Sequence, residues 1–176
     1  MVIDKILRDK NIRFKEKAEK IKVILTDVDG VLTDTGIYYG PQGEAFKRYS
    51  VRDGMGIERL RRYTGIETII ITGENSAAVK SRAEKLKMAE YYLGVKDKTE
   101  VLEIIKKKNG FVKEEIAYIG DDSNDYDVIQ KCGFTASPAD GMSFIKEIVD
   151  YVCETKAGYG AFREFAELIM AFKNVT

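Results

Sequence analysis

Four short clusters carry side chains suited to chemistry: Asp27-Val28-Asp29-Gly30, Thr72-Gly73-Glu74, Lys98, and Gly120-Asp121-Asp122-Ser123-Asn124-Asp125. The chain of 176 residues contains no histidine, which excludes Ser-His-Asp and Cys-His machinery and histidine-based metal sites. Carboxylates, lysine and hydroxyls must therefore carry any reaction. Taken singly, each cluster has an ordinary structural reading: Asp-x-Asp-Gly as a strand-end turn, Thr-Gly as a cap, the aspartate run as a helix N-terminus, Lys98 as a surface charge. Taken together they describe a reaction centre. If Asp27, Asp29 and Asp121 converge on a phosphate dianion, each close like-charged pair costs about 4 kcal/mol at a separation of ~4 Å and an effective dielectric of about 20. A cation is then required. Oxygen ligands alone select a hard ion, and Mg²⁺ suits carboxylates, waters and a substrate phosphate. Asp27 and Asp29 alternate along an extended segment, so a twist after Asp27 is needed to turn both toward one phosphate.

The elements that must position these groups are legible as an alternation. Val23-Ile24-Leu25, Thr68-Ile69-Ile70-Ile71, Tyr91-Tyr92-Leu93 and Ile116-Ala117-Tyr118-Ile119 are short β-branched or aromatic runs bounded by Gly, Asp or Thr, as expected of strands buried on both faces. Between them lie helical spacings, Ile57/Leu60/Tyr63, Ala78/Arg82/Leu86 and Val101/Ile104/Ile105. The alternation predicts an α/β fold, a Rossmann-like doubly wound, mostly parallel sheet with helices on both faces. Ligands bind such sheets beyond the carboxyl ends of the strands, and all four clusters fall there. One segment breaks the rhythm: Gly36-Ile37-Tyr38-Tyr39 and Ala45-Phe46-Lys47-Arg48-Tyr49 flank Gly40-Pro41-Gln42-Gly43, which predicts a projecting β-hairpin. A helix with Phe162, Phe165, Ala166 and Ile169 on its apolar face follows the glycine-rich Ala157-Gly158-Tyr159-Gly160. Residues 1–20 read as a lysine-rich helix or arm, and 21–176 as a single domain with no room for a second.

Composition narrows the partners. The 29 basic residues balance 29 acidic ones, which argues against a polyanion such as nucleic acid. Cys132 and Cys153 lack metal-type spacing and sit in apolar segments, as expected of a reduced pair. No apolar run reaches membrane-spanning length, and the N-terminus is charged without a signal-peptide core, so a soluble, cytoplasmic protein is expected.

The order Asp27-x-Asp29, Thr72, Lys98 and Gly120-Asp121-Asp122 with Asp125 resembles the four signature motifs of the haloacid dehalogenase superfamily over residues 21–140. The resemblance implies Asp27 as nucleophile forming an aspartyl-phosphate, Asp29 as general acid and later base, and Thr72 and Lys98 as holders of the phosphoryl group. It implies Mg²⁺ bound by Asp27, the Asp29 backbone carbonyl and Asp121, with Asp122 and Asp125 either supporting these ligands from behind or facing the substrate. Too few residues separate the motifs for a cap domain. More specifically, Leu25–Asp34, Arg52-Asp53-Gly54-Met55-Gly56-Ile57, Gly94–Lys98 and Gly158–Glu164 are similar to the small capless phosphatases of 3-deoxy-D-manno-octulosonate 8-phosphate and their nonulosonate 9-phosphate relatives, over about residues 20–170. Such enzymes form homotetramers, which makes Arg163 a candidate for closing a neighbour's site. Gly73, Glu74 and Arg82 are substrate candidates, the Glu74/Arg82 pair resembling the nonulosonate branch. Ser50 departs from the Asn often found in this family before its Asp-Gly motif. The alternative is a non-catalytic oligomerisation module like those attached to sialic acid cytidylyltransferases, in which the nucleophilic aspartate is typically lost; here it is present.

Overall fold

The structure is a computed structural model in which residues 5–173 are described. Two short helices, α1 (Lys5–Lys10) and α2 (Lys15–Lys20), lead into β1 (Val23–Thr26). The hairpin β2 (Thr33–Gly40) and β3 (Gly43–Tyr49) follows, then α3 (Val51–Thr64), β4 (Glu67–Ile71), α4 (Ala77–Lys85) and β5 (Tyr91–Tyr92). The chain continues through α5 (Lys98–Asn109), β6 (Ile116–Ile119), α6 (Tyr126–Gln130), β7 (Phe134–Ser137), α7 (Ser143–Lys146), β8 (Tyr151–Val152) and α8 (Ala161–Met170). Six parallel strands form one sheet in the order β5-β4-β1-β6-β7-β8, and the hairpin is a separate antiparallel pair.

β1 lies at the centre, with Val23 opposite Glu67 of β4 on one side and Ile116 of β6 on the other. Side chains alternate faces along a strand, and here both faces are apolar because both are covered. Ile24, Ile70, Ala117, Ile119 and Phe134 pack with Ile57 and Leu60 of α3, Val79 of α4 and Phe162, Phe165 and Ile169 of α8. Val23, Leu25, Ile69, Ile71, Ile116 and Tyr118 pack with Val101, Leu102 and Ile105 of α5 and Val128 and Ile129 of α6.

Helix starts are marked by local hydrogen bonds. Ser50, Ser76 and Asp97 cap α3, α4 and α5, their side chains accepting from the N–H groups of Arg52, Val79 and Thr99. The first turn of α8 is held from across the core: buried Asp53 accepts from the Arg163 N–H at 3.0 Å. Burial pushes the Asp53 carboxyl up to about 6. Glu164 fastens the loop before α8 by accepting from the N–H groups of Glu154 and Thr155 at 2.8 and 2.9 Å and from the Tyr151 hydroxyl. Two of the segments that carried the family resemblance are thus joints of the scaffold.

The structure adds to the sequence reading at two places. β7 and β8 belong to the sheet beyond the strands read from the sequence; Thr135 of β7 is buried because its N–H donates to Asp150 Oδ2 at 3.0 Å and its hydroxyl accepts from the Asp150 N–H at 3.1 Å. The lysine-rich beginning is docked on the domain through Phe14, whose ring lies 5.3 Å from Phe134 and 5.8 Å from Tyr151 between centroids. Burying a ring of this size contributes about 2–3 kcal/mol. Met1–Asp4 lie outside the described residues.

Between β1 and β4 the chain holds only the hairpin and α3, and between β4 and β5 only α4. Neither insertion contains a cap domain.

Candidate active site

β1, β4 and β6 end side by side, and their next residues form a cleft of about 320 Å³ lined by Asp27, Asp29, Thr35, Ile37, Thr72, Gly73, Glu74 and Asp121 to Asn124. Its floor is polar and buried. Asp27 continues β1, its N–H donating to the Ile119 carbonyl at 3.1 Å. Lys98, the first residue of α5, reaches under the floor, with Nζ 2.9 Å from Asp27 Oδ1 and 2.6 Å from Asp125 Oδ1. Carboxylate oxygens of Asp27, Asp121 and Asp125 all lie within 4.8 Å of one another.

Asp125 is an anchor. Its Oδ1 accepts from Lys98 and from the Tyr118 hydroxyl at 2.5 Å, and its Oδ2 accepts from the Asp121 N–H at 2.9 Å and the Asp122 N–H at 3.4 Å. With both oxygens so engaged, Asp125 fixes the loop after β6 and the Lys98 ammonium. Asp122, on the cleft lining, accepts from the Ser123 N–H at 2.6 Å. Asp121 differs: its Oδ1 is buried without a hydrogen-bond donor among the described residues.

Close approach of these acids depends on two glycines. A Cβ at Gly30 (φ +95°) would stand 1.9 Å from Asp121 Oδ2, and one at Gly120 would stand 2.4 Å from Asp125 Cγ. Both carboxylates lie directly against backbone.

Three carboxylates face one ammonium, a formal surplus of two negative charges. Burial and the neighbouring acids push the Asp121 carboxyl up to about 8. Asp27 is also raised, by burial first and then by Asp125, against the opposing pull of Lys98. An orphaned buried oxygen and acids held above their usual range are what a hard cation at Asp27 and Asp121 would relieve, so the residues fit a divalent metal.

Lys98→Met should expose the balance from the other side. Removing one partner of a buried ion pair costs about 3–5 kcal/mol, and here Asp27 and Asp125 would both lose theirs. Urea denaturation should show that loss at neutral pH; a variant of unchanged stability would contradict the anchoring role.

Asp29 points elsewhere than the acid cluster. Its Oδ2 accepts from Lys47 of the hairpin and its Oδ1 from the Thr33 hydroxyl at 3.1 Å. Both of its carboxylate oxygens are thus engaged by the hairpin rather than by the acid cluster. Lys47 also lies 3.4 Å from Glu44, which accepts in turn from the Ser76 hydroxyl. Burial pulls the Lys47 ammonium down, but Asp29 and Glu44 outweigh it and leave it above its ordinary value.

Among the substrate candidates, Gly73 and Glu74 line the cleft and Thr72 lies at its floor, its hydroxyl accepting from the Glu74 N–H at 3.3 Å. Arg82 and Arg163 do not line the cleft of their own chain. Arg82 donates to the Ser50 carbonyl at 3.0 Å and lies over the Tyr49 ring, because it packs α4 against the start of α3. Arg163 pairs with Glu167 at 2.6 Å, one turn along α8. Sequence reasoning missed Lys47 and Tyr118. In the hairpin the large apolar Phe46 reads as the inward residue beside Lys47, yet Phe46 is exposed and Lys47 is buried.

Comparison with known proteins agrees with this architecture. Residues 94–164 match the family model described as haloacid dehalogenase-like hydrolase. The KdsC 3-deoxy-D-manno-octulosonate 8-phosphate phosphatase of Haemophilus influenzae is 38% identical over 156 residues, covering 89% of this chain and 86% of that protein. The Escherichia coli K12 protein of the same name is 38% identical over 154 residues, 88% of this chain and 81% of its own length. The crystal structure of the Moraxella catarrhalis phosphatase of that name, in complex with magnesium ion, phosphate ion and a KDO molecule, has a TM-score of 0.89 at 36% identity over 93% of this chain and 94% of that one. The cobalt-bound Haemophilus influenzae structure has a TM-score of 0.85 at 39% identity, covering 89% and 91% of the two chains. With the acids, lysine and threonine at the strand ends, this likeness places the chain in the haloacid dehalogenase-like hydrolases, as a phosphoric monoester hydrolase of the capless 3-deoxy-D-manno-octulosonate 8-phosphate phosphatase family.

Proposed function

We propose that the protein hydrolyses the phosphate monoester of a 2-keto-3-deoxy sugar acid, 3-deoxy-D-manno-octulosonate 8-phosphate in the first instance, with Mg²⁺ as cofactor. The observation that carries this reading is the buried Asp27, paired with Lys98 at 2.9 Å and opening on a cleft in which a second acid, Asp121, has a buried oxygen without a donor among the described residues. Held by Asp27, Asp121 and the Asp29 backbone carbonyl, Mg²⁺ would supply Lewis-acid polarisation of the phosphoryl group and offset the local negative charge.

The chain's own groups carry the remaining steps. An Asp27 carboxylate oxygen attacks phosphorus; the bond from phosphorus to the sugar oxygen breaks, and that oxygen takes the proton of the Asp29 carboxyl. Water then attacks the aspartyl-phosphate, Asp29 accepts its proton, and inorganic phosphate leaves as the Asp27 carboxylate is restored. Thr72 donates to a phosphoryl oxygen while Lys98 holds Asp27 in line.

A nonulosonate 9-phosphate is the second reading, favoured by Glu74 on the cleft wall, where a carboxylate accepts hydrogen bonds from a sugar's hydroxyl groups. Steady-state rates with both phosphates decide between them: the substrate should exceed the other in kcat/KM by at least about tenfold. If neither sugar-acid phosphate nor 4-nitrophenyl phosphate is hydrolysed with Mg²⁺, the chain is instead the non-catalytic module. The exposed hairpin aromatics Tyr38, Tyr39 and Phe46 support a homotetramer built through the hairpins, which sedimentation would detect.

A further inference from the structure

The hairpin is not hydrogen-bonded into the main sheet, yet it delivers a fully buried ammonium to the rim of the cleft. The Lys47 side chain is 0% exposed, and its charge sits between Asp29 and Glu44. Glu44 is fixed by the Ser76 hydroxyl, and Ser76 caps α4, the helix that begins just after the Thr72-Gly73-Glu74 turn. Thr33, at the first position of β2, holds the other Asp29 oxygen at 3.1 Å. A continuous line of polar contacts therefore runs Ser76, Glu44, Lys47, Asp29, Thr33, tying the start of α4 and both strands of the hairpin to one carboxyl.

An isolated buried ammonium is costly, and a short flexible carboxyl two residues beyond Asp27 would otherwise sample several rotamers. Each solves the other's problem. From this geometry we propose that Lys47 is a positioning residue: by gripping Oδ2 it holds the Asp29 carboxyl at the cleft wall and leaves Oδ1, 3.1 Å from the rotatable Thr33 hydroxyl, as the oxygen that carries the proton to the leaving sugar oxygen. The inference rests on the reading of Asp29 as proton donor. Lys47 itself does not line the cleft. The hairpin is then part of the catalytic apparatus as well as a projecting surface.

Leaving-group dependence separates positioning from general structural damage. A sugar oxygen departs as a poor leaving group and needs the proton, whereas 4-nitrophenolate departs without it. The measurement is kcat/KM, which reports steps up to departure of the alcohol or phenol, for wild type, Asp29→Asn, Lys47→Met, Lys47→Arg and Glu44→Gln on the sugar-acid phosphate and on 4-nitrophenyl phosphate. Asp29→Asn should lose about 10²–10⁴-fold on the sugar phosphate and far less on the aryl phosphate, the usual worth of a general acid. Equal losses there would remove Asp29 from the role, and this inference with it. Given that differential, Lys47→Met should show the same asymmetry, a loss at least about tenfold larger on the sugar phosphate. Lys47→Arg should recover part of it, and Glu44→Gln should show a weaker version. Equal losses of Lys47→Met on both substrates, or none on either, would overturn the proposal. If Lys47→Met does not fold, the same ratio read on Lys47→Arg and Glu44→Gln decides, an unchanged ratio in both overturning it.

Discussion

Asp27→Asn should lower turnover by a factor on the order of 10⁴ or more while leaving a folded protein. Asn preserves the shape of the side chain and an oxygen that accepts from Lys98, so the scaffold contact at 2.9 Å survives. What disappears is the attacking charge. The carboxyl is also crowded by Asp125 and raised by burial, so its removal relieves repulsion in the absence of metal. The thermal midpoint in chelator should therefore stay level or rise even as phosphate release stops. Wild-type enzyme quenched during turnover and reduced with borohydride should carry the label of a trapped acyl phosphate at position 27, and the variant should carry none. Wild-type rates in Asp27→Asn would remove this residue from the nucleophile's role.

The second large effect is the response to divalent cation, which depends on pH in a defined direction. The Asp121 carboxyl moves from an ordinary 3.8 to about 8 in the folded protein. A carboxyl raised on folding favours the native state fully below its unfolded value, and that advantage is lost as pH rises through the folded one. Without metal, stability should therefore fall between about pH 4 and 8. Mg²⁺ binds the ionised form and offsets the loss, contributing about 2.7 kcal/mol at a hundredfold excess over Kd. The Mg²⁺-induced rise in thermal midpoint should grow from pH 5 to pH 8 and vanish in Asp121→Asn. A rise of the same size in that variant would show that the ion binds elsewhere.

Sequence reasoning located the centre of the molecule well. β1, β4 and β6 are buried on both faces, so each reads as an unbroken apolar run, and the residues after them are the polar groups of the cleft. It failed where burial is compensated by polar contacts. Thr135 and Ser137 are hidden in β7, but their types are those of a loop; only the exchange of hydrogen bonds with Asp150 permits Thr135 to be there. Lys47 was illegible for the same reason, since a lysine becomes an interior residue here only when Asp29, from the loop after β1, joins its strand neighbour Glu44 around it. Conversely, the helical spacing of Ile104 suggested a buried position, and it lies half exposed on α5. Arg82 and Arg163 sit outside the cleft of their own chain, their guanidinium groups engaged by the Ser50 carbonyl and by Glu167.

The contact of two carboxylates with bare backbone at Gly30 and Gly120 bears on how such an enzyme can change. Even a methyl group at either place would occupy space an acid already fills, so neither site offers a graded series of tolerated variants. New specificities must then arise around the rim, where Thr35, Ile37 and Glu74 meet solvent, while the floor is inherited whole. A lineage built on this plan diversifies by redecorating its entrance.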